Sequence, residues 1–348
     1  MPPAHLRSHT PDSLATLWPD LPLDPSIARR VIARVTGEGR DDLAGVRGVS
    51  HALAAEILAR GSTKRLVCTD RRESALDGFV KYLFLAEDGA MFETVRIPLL
   101  RPRYSVCVSS QAGCGLGCAF CETGRLGFVR NLEPWEIVEQ VLAVKRDAPA
   151  RPVTGVVFQG QGEPLQNYDA VIRAATILRD PSGLKIRGEA ITISTVGLVP
   201  AIERFTREGH VFRLILSLTS ALDAKRAALV PLAKTYAVAE LARAMRQHAL
   251  RHGGPVHLGW VLMSGVNSGE DEAEAIAREF SGGPVRVHLI DVNDPSGAHC
   301  PPDDAERGRF LDALRARGIA FVRRYSGGPD IHAACGMLAS TARGGRPA

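Results

Sequence analysis

The sequence predicts an α/β protein whose core is a succession of βα units with parallel strands, and two observations carry that prediction. Short apolar runs of strand character recur at about 35 to 40 residue intervals beyond position 104, and amphipathic helical patterns fill the gaps between them. Candidate strands fall near 104–108, 153–159, 188–194, 212–218, 256–263, 285–291 and 319–325. The clearest helices are 134–146, with Pro134 in the first turn and Ile137, Val138, Val141 and Leu142 turned inward, and 238–252, with Leu241, Met245 and Leu250 spaced helically. Strands joined this way either close toward a barrel or open as a doubly wound sheet, and the pattern alone leaves both available.

Upstream of this core the pattern changes. Ile27, Val31, Ile32 and Val35 mark one short helix and Leu53, Ile57 and Leu58 another, separated by the glycine-bearing stretch 37–48, so residues 1–62 read as a small helical accessory module. Two apolar-rich runs, 82–86 and 91–95, flank Glu87-Asp88-Gly89-Ala90, and Asp-Gly is a hairpin signal. Residues 63–99 are therefore expected to form a two-stranded β-ribbon linker, residues 100–340 the βα core, and the Gly- and Arg-rich residues 341–348 a disordered tail.

Composition bounds the function. The 348 residues are 45% apolar and 5% aromatic, and the net charge is +5, an ordinary α/β composition mildly suited to a polyanion. Apolar runs such as 153–158 fall far short of the roughly 18 to 20 residues that span a bilayer. The first thirty residues hold six prolines and no basic region followed by an apolar one, so a cytoplasmic location without membrane association is expected. Seven cysteines, three of them within eight residues, suit metal ligation in a reducing compartment better than a disulfide framework.

Those three lie in Cys114-Gly-Leu-Gly-Cys118-Ala-Phe-Cys121. A structural zinc, or a fully ligated cluster, takes four protein ligands, whereas three thiolates on a 4Fe-4S cluster leave one iron open to substrate. A zinc site that borrows a fourth ligand is the alternative on spacing alone.

The stretch Ser109-Ser-Gln-Ala-Gly-Cys114-Gly-Leu-Gly-Cys118-Ala-Phe-Cys121-Glu-Thr-Gly, followed by Gly127-Phe and Arg130-Asn-Leu, resembles the cluster loop of the RlmN/Cfr family of radical S-adenosylmethionine RNA adenine methyltransferases. The likeness runs through most of the chain beyond Tyr82 and is weakest in the first sixty residues. It implies a partial (β/α)6 TIM-like barrel, a 4Fe-4S cluster on Cys114, Cys118 and Cys121, and two molecules of S-adenosylmethionine per turnover. By the same resemblance the cofactor contacts are Gly162 and Glu163 of Gly160-Gln-Gly-Glu-Pro-Leu, Ser194 after the third strand, Ser217, Leu218 and Thr219 after the fourth, and Asn293 after the sixth.

Cys335, in Asp330-Ile-His-Ala-Ala-Cys335-Gly336, and Cys107 match the family's two isolated thiols; either alone would read as a small buried hydrophobe. The resemblance implies that Cys335 accepts a methyl group, that a radical drawn from that S-methyl adds to adenine, and that Cys107 then resolves the tether by forming a disulfide with Cys335. A radical route is needed because adenine carbons 2 and 8 are electrophilic. Glu93 matches a family proton acceptor, though in isolation it reads as an exposed ribbon residue. Cys68 and Cys300 have no counterpart. Arg71, Arg72, Arg101, Arg103, Arg125, Arg130, Arg323 and Arg324 flank the site and are candidates for phosphate contacts.

The expected product is an adenosine methylated at carbon 2 in rRNA or tRNA. Carbon 8, another RNA, or a non-catalytic iron-sulfur or zinc RNA-binding module are the alternatives. A reductant such as flavodoxin or ferredoxin would serve a monomeric enzyme. Gln161 and Thr219 replace the family's Met and His, and Asp291-Val-Asn293-Asp-Pro-Ser replaces a more apolar stretch.

Overall fold

A computed structural model of the chain describes residues 3–100 and 102–338, and the tail expected to be disordered lies outside them. Its centre is one ten-stranded sheet. Seven of its strands are parallel: β6 (Tyr104–Val108), β9 (Val153–Phe158), β10 (Ile191–Thr195), β11 (Arg213–Ser217), β12 (Val256–Leu262), β13 (Val285–Asp291) and β14 (Ala320–Arg323), in that spatial order. Six crossovers join them, so six βα units are followed by a closing strand. The third strand begins three residues later than the sequence suggests, because Gly188–Ala190 is a 3-10 turn.

The crossovers carry α5 (Pro134–Asp147), α6 (Tyr168–Arg179), α7 (Val199–Glu208), α8 (Asp223–Leu229) with α9 (Val238–His252), α10 (Glu270–Glu279) and α11 (Asp304–Ala316). These helices cover one face of the sheet. Val106, Val156, Ile193, Leu214, Leu216, Leu258, Trp260 and Val287 point into that layer and are all buried. In α9, Leu241 and Met245 face the core, but Leu250 is 82% exposed. Five residues beyond Met245 rotate it about 140° away from the stripe.

On the other side of β6 the sheet turns antiparallel. β5 (Met91–Pro98) pairs with β6, β4 (Val80–Leu85) pairs with β5, and β3 (Val67–Glu73) closes the edge. Where the sequence predicts a two-stranded ribbon linking module to core, the structure therefore has three strands continuous with the main sheet. β3 escaped detection because its residues, largely charged and exposed, carry no apolar alternation. The Asp88-Gly89 turn does join β4 to β5, with Gly89 at φ 84°.

The first helices are α1 (Pro11–Ala15), α2 (Pro25–Ile32) and α3 (His51–Arg60), and the two-residue strands β1 (Ala4–His5) and β2 (Gly61–Ser62) pair in parallel beside them. Leu6, Leu14, Val31, Ile32 and Ile57 form a separate small core. Arg7 pins it to α5: fully buried, it donates to the carbonyls of Val35, Thr63 and Lys64 and pairs with Asp41 at 2.6 Å and Glu139 at 3.3 Å.

Candidate active site

The loop after β6 folds back as a hairpin, β7 (Gln111–Cys114) with β8 (Gly127–Asn131), enclosing the short helix α4 (Glu122–Leu126). This arrangement carries Cys114, Cys118 and Cys121 to the C-terminal ends of the parallel strands. There they line one cavity with Gly160, Gly162, Glu163, Ser194, Ser217, Thr219, Cys335 and Gly336. Loops at this end of a parallel sheet are where such folds build their sites. A larger groove, lined by Lys225, Gly265, Asp271 and Arg309, shares no lining residue with this cavity.

The three thiols affect one another electrostatically. Burial, aided by the neighbouring thiols, pushes Cys114 up to about 11 and Cys118 up to about 12. Thiols in this state are poor nucleophiles and become thiolates when a metal displaces the proton. Among the described residues no three Cys, His, Asp or Glu draw together as a single ion requires. A 4Fe-4S cluster instead asks for thiols distributed around one cavity, each reaching a different iron, and this donor set fits it.

Gly162 and Glu163 form the opposite wall. Gly162 has φ 95°, and a Cβ there would stand 2.5 Å from the Gln111 side chain, so only glycine lets this backbone close on the cavity. The Glu163 carboxylate accepts from the Leu165 N–H at 3.0 Å and the Val196 N–H at 2.9 Å, tying this loop to the end of β10. Burial pushes its pKa up to about 7, against the lowering effect of those donors.

The strand-end hydroxyls converge as well. Ser194 and Ser217 lie 3.1 Å apart. Thr219 has φ 63°, a left-handed conformation costing a non-glycine residue about 1 kcal/mol or more, and its buried hydroxyl has no protein partner. Asn267 holds the strained turn by donating to the Thr219 carbonyl at 2.6 Å. A strained residue with an orphaned hydroxyl facing a cavity is a group kept for a ligand.

Cys335 enters from the C-terminal segment. Its N–H donates to the Ser326 hydroxyl at 2.8 Å. The segment is held on both flanks: Asp330 accepts from the Ser74 hydroxyl and the Ala75 N–H, Asp77 accepts from the Gly328 N–H, the Glu122 N–H donates to the Gly336 carbonyl, and the Thr123 hydroxyl donates to the Leu338 carbonyl. Cys107 sits on β6 among Phe79, Val95, Ile331 and Ala333. Gln159, just past β9, bridges the two thiols, with its backbone N–H on Cys107 and its side-chain amide 3.7 Å from the Cys335 sulfur. Burial raises both thiols to about 12, and Cys335 adds to the rise at Cys107.

Other predicted residues stand elsewhere. The Leu218 side chain belongs to the helix-facing core, leaving only its backbone near the site. The Asn293 amide is spent on the Asp291 carbonyl and the Ser326 hydroxyl, outside the cavity lining. Glu93 is not an exposed ribbon residue but fully buried, 2.9 Å from the buried Lys81 ammonium. Pairing of Val95 with Cys107 places Glu93 on the same sheet face as Cys107. Arg71, Arg72, Arg125, Arg130 and Arg323 are ion-paired with carboxylates, and Arg101 lies outside the described residues.

Sequence reasoning passed over Gln159, Asn267 and Arg226. Arg226, 1% exposed, donates to the carbonyls of Leu218 and Val196 and so fastens the ends of β11 and β10 together. Its one available signal was a cation inside an otherwise apolar helical stripe.

Residues 108–279 match the radical SAM superfamily. A probable RNA methyltransferase of Anaeromyxobacter sp. (strain Fw109-5) is 51% identical over 91% of this chain and 94% of its own length. The dual-specificity RNA methyltransferase RlmN of Anaeromyxobacter dehalogenans (strain 2CP-C) is 38% identical, covering 98% of this chain and 93% of the relative. A crystal structure of a radical SAM methyltransferase from Sphaerobacter thermophilus superposes with a TM-score of 0.89 at 36% identity, over 97% of this chain and 99% of that one. A fold that places three cysteines at the strand ends of a parallel sheet, and relatives this similar over nearly the whole chain, lead to one conclusion: the chain belongs to the RlmN family of radical SAM RNA methyltransferases.

Proposed function

We propose that this chain methylates carbon 2 of an adenosine in rRNA or tRNA, with Cys335 as methyl carrier and Cys107 as resolving thiol. The observation that carries the reading is the thiol pair itself, two cysteines distant in sequence that meet at Gln159 beside the cavity holding the other three. A radical enzyme that only cleaved S-adenosylmethionine would have no use for the second set.

Cys114, Cys118 and Cys121 would hold the 4Fe-4S cluster, which when bound supplies the electron for reductive cleavage of one S-adenosylmethionine while a second furnishes the methyl group. Glu163, Ser194, Ser217 and Thr219 offer a carboxylate and hydroxyls to a polar, cationic ligand in the same cavity. The Cys335 sulfur takes the methyl group. Once the methylene carbon has bonded to adenine and the adduct has given back the electron used in cleavage and lost the ring proton, the Cys107 thiol gives up its proton and attacks the Cys335 sulfur; the carbon–sulfur bond breaks with its electron pair left on carbon, which takes up a proton to become the methyl group, and a Cys107–Cys335 disulfide forms. An external reductant, of flavodoxin or ferredoxin type, restores both thiols. Glu93, on the Cys107 face of the sheet, is assigned to accept the proton lost from the ring carbon. The enzyme is proposed to work as a monomer.

Two measurements test the reading. Peptide mass spectrometry of active enzyme should find a methyl group on Cys335, and the Cys107→Ala variant should accumulate RNA covalently bound to Cys335; an unmodified Cys335 in methylating enzyme would refute it. Mapping methyladenosines in RNA from cells with and without the protein identifies the nucleotide, and 8-methyladenosine in place of 2-methyladenosine would correct the carbon.

A further inference from the structure

The sheet face opposite the helices is only partly covered, since Arg213, Ile215, Ser217, His257, Gly259 and Val261 on it are half-buried. Side chains alternate along each strand, so Ser217 and Val261 at the cavity share that face with Ile215 and Gly259 midway and with Arg213 and His257 at the far end. On β13 the same face carries Arg286, paired with His257, and His288, paired with Gly259. The walk from Ser217 to Arg213 is four residues, about 13 Å at a rise of ~3.3 Å each.

The far end is basic without compensation. Arg324 donates through its guanidinium to Nδ1 of His288 at 3.2 Å. That makes Nε2 of His288 the protonated nitrogen, and it lies 2.9 Å from Nδ1 of His257. The relay therefore ends on the Nε2–H of His257, a donor without an acceptor among the described residues. The charges that act on these histidines are arginines 213, 286 and 324, and among the described residues no carboxylate offsets them. Arg286 and Arg324 are exposed. Five arginines named from the sequence as phosphate contacts are already neutralised by Asp or Glu, whereas this cluster, on the face that leads from the active site, is not. Unpaired like charges held together cost stability unless an anion meets them.

We propose that Arg213, Arg286, Arg324 and His257 form a phosphate-binding site that grips the RNA backbone one to two nucleotides from the target base, with the half-buried Ile215 and Gly259 as the floor between. The proposal rests on the reading of the chain as an RNA-modifying enzyme. It is distinct from the thiol chemistry, because none of these four residues lines the cavity.

The test is fluorescence anisotropy of a labelled single-stranded RNA with a central adenosine, added to reconstituted protein over a range of salt. The Arg213→Gln/Arg286→Gln double variant should bind about tenfold more weakly at low salt, with a salt slope shallower by about 1 to 2. Its S-adenosylmethionine cleavage should be unchanged and its melting temperature no lower, and the single variant Arg286→Ala, at an exposed position, should show about half the effect on the slope. Unchanged affinity and slope in the double variant overturn the site while leaving the RNA enzyme intact. Displacement of RNA by inorganic phosphate at equal charge concentration overturns the backbone assignment in favour of a small-anion site. Failure of the wild-type protein to bind any RNA overturns both this site and the function on which it rests.

Discussion

The five functional cysteines fall into two sets that are built in opposite ways. Cys114, Cys118 and Cys121 sit on one loop, and a hairpin plus one short helix suffices to present them. Cys107 and Cys335 come from an interior strand and from the C-terminal segment, and only the completed sheet brings them to Gln159. The difference teaches that a ligand set can be encoded locally because the metal itself finishes the geometry, whereas a pair that must react with each other needs a rigid scaffold to supply it.

The largest expected effect separates the sets. Cys118→Ala should abolish iron binding and S-adenosylmethionine cleavage together. Cys335→Ala should retain the iron and the cleavage and lose all methylation, and iron loss in that variant would erase the distinction. Next comes the scaffold: Lys81→Met removes the ammonium partner of the buried Glu93 and should lower unfolding stability by about 1 to 3 kcal/mol, with methylation lost before cluster content, read by chemical denaturation and iron analysis. A stability loss below about 1 kcal/mol would show that this ion pair does not support the strand beside Cys107.

A smaller change is expected at the bridge. Gln159→Leu removes an amide contact worth about 0.5 to 1.5 kcal/mol and should slow methylation about two- to tenfold, with an altered rate of Cys335 alkylation and an unchanged cluster spectrum. The mildest effect is one of pH. The folded Glu163 carboxyl is raised from the ordinary 4.5 to about 7, so its contribution to the stability of cluster-free protein is full below about pH 4.5 and is lost as pH rises through 7. Denaturation curves across that range should show the decline in wild type and its absence in Glu163→Gln.

The same contrast explains what could be read in advance. All seven parallel strands were legible because each carries a short apolar run between helical patterns, and the cysteine loop because its spacing is contiguous. β3 was not, since an edge strand facing solvent has no need of apolar alternation. Glu93 misleads for a related reason: a carboxylate on a β-strand reads as solvated, and its burial depends on Lys81 of the neighbouring strand, which no local pattern announces. Gln159 and Arg226 act through contacts with residues remote in the chain, and their identities carry no periodic signal. Five of the eight flanking arginines show the converse error, since charge visible in sequence does not say whether a carboxylate has already claimed it.

The clamps on the Cys335 segment have a temporal side. Ser74, Ala75 and Asp77 on one flank and Glu122 and Thr123 on the other hold residues 328–338, which a ribosome delivers after every strand of the sheet. The helix beside the cysteine loop thus waits for this later stretch of chain before its N–H and hydroxyl are satisfied. A nascent polypeptide can assemble its iron-binding loop early, yet it acquires the carrier thiol and the cover of that loop in a single late docking event. The thiol that is to carry carbon therefore takes its place only on a sheet already formed.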